Sequence, residues 1–144
     1  ACPESSVLRA LTREIVTGEE SVLLLDMEAG LEHLGRGTSR YMDALLIVVE
    51  PTQASTRTAE RIAALARDLG LERLFVVANK VRATQDAAFI RDRLSLPLIG
   101  HLPLVEGLGW VGRAEPSPEF LAAVDSIKAR LETELAASDA QPRD

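Results

Sequence analysis

The sequence predicts an α/β fold: a parallel sheet with helices on both faces. Segments 21–27, 43–49 and 73–79 are apolar almost throughout, without the alternation of a half-solvated strand, which is the pattern of strands covered on both sides. The stretches after the second and third have apolar residues every three or four positions, the period of a helix packed on a sheet. Strands alternating with helices in this way build a parallel sheet.

The first helix is expected over residues 5–17, with Leu8, Leu11 and Ile15 on one stripe, Val7 beside it, Pro3 and Glu4 at its entrance and Gly18 at its exit. Cys2 falls just before that helix, where a thiolate is stabilised; it reads either as a metal ligand or reactive group or as an ordinary terminal cysteine. The strands at 21–27 and 43–49 follow. A helix over 55–69 turns Ala59, Ile62, Ala63, Ala66 and Leu69 inward and stops at Gly70. After the strand at 73–79 comes a short helix, 84–94, with Ala87, Ile90 and Leu94 inward. A weaker strand at 97–102 tolerates Pro97 only at its start. A Gly-rich loop, 103–116, leads to the last helix, where Ser117 caps, Pro118 takes the first position and Glu119 faces the positive end of the dipole. Its inward stripe is Phe120, Val124, Ile127, Leu131 and Leu135. Residues 1–137 read as one unit and 138–144, without apolar content, as a flexible tail.

Composition narrows the function classes. With 144 residues, 47% hydrophobic and 26% charged, the chain can bury a single core. A formal charge of -6 with scattered Lys and Arg argues against a nucleic-acid surface. No apolar run approaches the roughly 20 residues of a membrane span. No signal-peptide pattern is visible, and a single cysteine fits a reducing compartment, so a cytoplasmic location is expected. The chain opens without Met directly into a helical pattern; removal of an initiator Met before Ala and an excised or processed fragment both account for this, and a fragment is expected.

Three strands end in polar signatures: Asp26 to Gly30, Glu50 to Thr52, and Asn79-Lys80. In an open parallel sheet the carboxyl ends line one crevice, where ligands bind. Asp26 suits a Mg2+ ion, a hard cation that prefers carboxylate and phosphate oxygens. Gly30 lets the backbone approach a phosphate, and the Asn79 carboxamide offers a donor and an acceptor to a nucleobase edge. Singly, each is also what a turn residue looks like; three on successive strands point to a site. After the first strand end, His33 reads equally as a contact to a metal, a partner or a carboxylate and as a surface polar residue, and Arg36 and Arg40 read as partner or phosphate contacts or as part of a solvated helix. His101 reads as structural. Trp110, in a Gly-flanked loop, is a lid over the base, a partner anchor or a packed loop residue. Lys80 is followed by Val81-Arg82, so the Asp of a guanine-reading N-K-x-D motif is missing and adenine is expected.

The run from Leu23 to Ile62 resembles the deviant-Walker NTPases of the MinD, ParA and nitrogenase iron protein superfamily, and within it the CooC branch, nickel-insertion ATPases that mature carbon monoxide dehydrogenase. The general signature D-x-x-A-G is matched by Asp26, Ala29 and Gly30. The branch signature E-A-G-x-E-H, with a following G-R-G, is matched by Glu28 to His33 and Gly35 to Gly37. The flanks are similar too: the segment after Cys2 resembles the one that follows the family's C-x-C metal motif, and those around Asn79 and Pro103 resemble the strands and loop on the adenine side.

The resemblance implies a P-loop NTPase fold that lacks its N-terminal, phosphate-loop part. No G-K-G-G-x-G-K-S/T loop occurs in the sequence, and the family's strand between those ending at Asp26 and Glu50 is missing. Those two strands then close over the gap, pair with another chain, or await the remainder of the fold. The resemblance further implies Asp26 as the catalytic Mg2+-positioning residue and Glu28, Ala29, Gly30, Glu32, His33 and Arg36 as a switch. It places Asn79, Pro103 and Leu104 at the base, and Cys2 at a dimer-interface site for Ni2+ or Zn2+. It implies ATP as the nucleotide, a homodimer, and carbon monoxide dehydrogenase or a similar metalloenzyme as client. Without the phosphate loop this chain alone is expected to be inactive. Two other readings stay open: a positioning or partitioning ATPase of the same superfamily, against which E-A-G-x-E-H speaks, and a non-catalytic α/β interaction module.

Overall fold

The computed structural model describes residues 22–27, 42–106 and 115–139. Within them three strands, β1 (Leu45–Val49), β2 (Leu74–Val81) and β3 (Leu98–Pro103), form one parallel sheet in the order β1-β2-β3. Helices α1 (Gln53–Asp68) and α2 (Thr84–Arg91) are the two crossovers, and α3 (Pro118–Asp139) follows β3. The expected helix at 5–17, Cys2, most of the 103–116 loop and residues 140–144 lie outside the described residues.

Alternation along β2 divides the core. Leu74, Val76 and Ala78 face one side, where they meet Ile47 and Val49 of β1, Ala59, Ala63 and Ala66 of α1, and Ile90 of α2. Phe75 and Val77 face the other, with Ile99 of β3 and the α3 residues Ile127, Leu131 and Leu135. Crossovers of one hand that advance in one direction across a sheet put their helices on the same face, and α3 covers the opposite one. Small side chains on α1 let that helix lie close to the sheet.

The helix boundaries follow local chemistry. α1 begins at Gln53, two residues before the expected start, because the Thr52 hydroxyl accepts from the Ser55 N–H at 3.2 Å. It ends in a Schellman arrangement: the Leu71 N–H donates to the Ala66 carbonyl and the Gly70 N–H to the Arg67 carbonyl, both at 2.9 Å, with Gly70 at φ 83°. At α3 the Ser117 hydroxyl accepts from the Phe120 N–H at 3.1 Å. α3 continues to Asp139, two residues past the expected end. Val124, expected on its inward stripe, is 41% exposed.

The expectation for 21–27 is corrected. Residues 22–27 carry no strand structure, and Val22 and Leu24 are 80% and 81% exposed; only Met27 packs against the core. A strand apolar on both faces is held by ladder bonds to neighbours and by cover on each side. Among the described residues no strand lies beyond β1 to supply them.

Candidate functional site at the carboxyl edge of the sheet

Because the sheet is parallel, Glu50 after β1, Asn79 and Lys80 in β2, and Pro103 and Leu104 at the end of β3 stand on one edge. Val49 is level with Ala78 and Val81 with Pro103. Two of the three expected polar signatures are therefore brought together. The third is not: Asp26 ends an unpaired, exposed segment rather than a sheet strand. Glu28, Ala29, Gly30, Glu32, His33 and Arg36 lie outside the described residues, as does Arg40.

The edge is shaped by a bulge. Between Ala78 and Val81, β2 advances three residues while β3 advances two, and the extra residue is absorbed at Lys80, whose φ of 56° lies in the left-handed region. For a non-glycine residue this conformation costs on the order of 1 kcal/mol. Two contacts hold it. The Asn79 Oδ1 accepts from the Lys80 N–H at 2.9 Å, and the Lys80 ammonium pairs with the Glu50 carboxylate across the ends of β1 and β2. That pair is half-exposed, and such pairs are worth about 0.5 kcal/mol, so its role is more to fix geometry than to add stability. Glu50 is itself anchored, its N–H donating to the Ser55 hydroxyl at 3.0 Å and its carbonyl accepting from the Thr52 N–H at 2.7 Å.

The ladder then resumes: the Leu104 N–H donates to the Val81 carbonyl at 2.9 Å, holding the start of the loop beside β2. Pro103 and Leu104 are half-buried, as is Asn79, while His101 is exposed on β3. The sequence placed the Glu50 and Asn79-Lys80 signatures on one edge; the Lys80–Glu50 pairing and the Ser55 anchor depend on strand register and a positive φ that no local pattern announces. Among the described residues no cluster of three or more His, Cys, Asp or Glu is placed to hold a metal ion. A single carboxylate such as Asp26 fits Mg2+, which is commonly held by one or two carboxylates together with phosphate oxygens.

The chain is similar to known proteins over most of its length. Over 103 residues, 71% of its length, the chain is 46% identical to the carbon monoxide dehydrogenase accessory protein CooC of Rhodospirillum rubrum. Over that stretch the chain is a homologue of the CooC-type accessory protein. It is also 44% identical, over 109 residues, to an uncharacterized ATP-binding protein of Methanocaldococcus jannaschii. The matches span only 39% and 42% of these curated relatives. No protein-family model matches the chain. Among solved structures, the MinD cell division protein of Aquifex aeolicus aligns with a TM-score of 0.55 and 24% identity, over 72% of this chain and 50% of that one. This likeness supports a MinD-like α/β fold. No helix among the described residues is long and apolar enough to cross a membrane.

Proposed function

We propose that the chain is the carboxyl-terminal part of an ATP-dependent accessory protein that inserts nickel into carbon monoxide dehydrogenase. The observation that carries this reading is the 46% identity to the CooC accessory protein. The E-A-G-x-E-H run at Glu28 to His33 and the polar edge built by Glu50, Asn79 and Lys80 add to it. In this reading the carboxyl edge takes the adenine of ATP, with Asn79 at the base and Pro103 and Leu104 beside it. Mg2+, when bound, neutralises phosphate charge, and Asp26 is the carboxylate that orients it. The segment from Glu28 to Arg36 senses the γ-phosphate. Ni2+ or Zn2+ is cargo, held by Cys2 and its counterpart in a homodimer that ATP closes in the cytoplasm.

Phosphoryl transfer depends on the backbone amides and lysine of a phosphate loop, and this sequence contains none of the expected form. The 144-residue chain alone is therefore expected to show no Mg2+-dependent ATP turnover; measurable turnover by the purified chain would refute this division of labour. The complete protein is tested by equilibrium dialysis with elemental analysis, comparing wild type with Cys2→Ser, with and without ATP. We expect about one metal ion per dimer for the wild type, with an affinity that ATP shifts, and none for the variant. ATP binding without metal binding in either protein would remove the metal-delivery reading and favour a positioning or partitioning ATPase.

A further inference from the structure

The left-handed Lys80 sits where the proposed base subsite needs an oriented carboxamide. Glycine, or failing that asparagine, is the ordinary occupant of such a position, yet the chain places a lysine there and pairs it with Glu50. Glu50 in turn is fixed by the Ser55 hydroxyl and by the Thr52 N–H at the start of α1. We propose that Lys80 and Glu50 are positioning residues for Asn79: their ion pair stabilises the bulge, and the bulge presents the Lys80 N–H that holds the Asn79 carboxamide.

The consequence is a directed reader. With Oδ1 accepting from the Lys80 N–H at 2.9 Å, the amide plane is set. The two Nδ2 hydrogens and the second lone pair of Oδ1 are left for a ligand. A donor beside an acceptor matches the N7 acceptor and N6 amino donor of adenine, whereas guanine offers two acceptors on that edge. Lys80 is not a catalytic residue here; it acts through Asn79, and this inference rests on the nucleotide-base reading of that edge.

The test compares ATP and GTP dissociation constants in the complete protein for wild type, Lys80→Ala, Lys80→Gly, Lys80→Arg, Glu50→Gln and Asn79→Ala. Wild type is expected to prefer ATP and Asn79→Ala to lose the preference. Lys80→Ala and Glu50→Gln should weaken ATP about twofold with GTP little changed. Lys80→Gly, which adopts a positive φ without help, should recover most of that loss, and Lys80→Arg, which keeps the charge, should resemble wild type. A Lys80→Gly variant as weak as Lys80→Ala would overturn the proposal, because it would mean that the lysine acts by its own charge; a Lys80→Ala variant equal to wild type would overturn it as well.

If Asn79→Ala keeps the ATP preference, the base reading fails, and amide hydrogen exchange at residue 80 decides the positioning. After correction for intrinsic rates, slow exchange in wild type and Lys80→Gly with faster exchange in Lys80→Ala and Asn79→Ala supports it. Equal rates in all four overturn it.

Discussion

Gly100 shows how much one missing methyl group can decide. A Cβ at that position would lie 2.3 Å from the Cγ1 of Ile127, so the close seating of α3 on β3 requires glycine. Gly100→Ala is expected to lower stability by about 1–3 kcal/mol through overpacking, read as a lower denaturation midpoint with an unchanged slope. A midpoint equal to wild type would mean that α3 shifts without cost. Gly70 differs, since its added Cβ would meet nothing within 4 Å and only its φ of 83° demands glycine. That stop was legible in the sequence because a Gly after a periodic segment has a local cause. Gly100 was not, because its cause is a side chain 27 residues away. Lys80 was illegible for a related reason: a lysine announces no positive φ, and one of the two groups that hold it, Glu50, comes from the end of another strand.

At the level of elements, the apolar segments 43–49 and 73–79 and the inward stripes of α1 and α2 became the sheet and its cover, because apolar period and capping chemistry are properties of neighbouring residues. Ala59, Ala63, Ala66, Ala87 and Ile90 are buried, as the stripes predict, and so is Leu94, although α2 ends at Arg91, short of the expected 94. What the period could not give was register. β3 carries its own irregularity, with Val76 level with Leu98 and Val77 with Gly100, so Ile99 is an extra residue on that strand. The start of α3 is set by Ser117, whose hydroxyl accepts from the Phe120 N–H. Ser117→Ala should destabilise the fold by about 1 kcal/mol, and Ser117→Asp should restore it, since a carboxylate caps and also meets the helix dipole favourably. Equal midpoints for all three proteins would mean that the packing of Ile127, Leu131 and Leu135 against the sheet, rather than the cap, fixes where α3 begins.

For the molecule as a whole, the mismatch between the apolar run at 22–25 and its surroundings is the most informative departure. Val22 and Leu24 are about four-fifths exposed, and on β1 Val48 is 58% exposed, although the same residues have the composition of strands covered on both faces. Solvent-exposed apolar chain beside a parallel sheet with an open edge strand invites association. The charge pattern offers no protection there, since residues 22–25 carry none. The CooC-type reading gives a cause: in the complete fold a further strand would lie beside β1 and segment 22–25 would pair beyond it. The double variant Val22→Asp with Leu24→Asp separates the two situations. In the 144-residue chain it should raise the soluble fraction and suppress binding of a hydrophobic dye, because it replaces exposed apolar surface with charge. In the complete protein it should cost several kcal/mol, of order 3 or more, by burying carboxylates without partners. If the variant is tolerated equally well in both, the run is not a buried strand in either, and Asp26 loses the sheet position from which its role toward Mg2+ was argued.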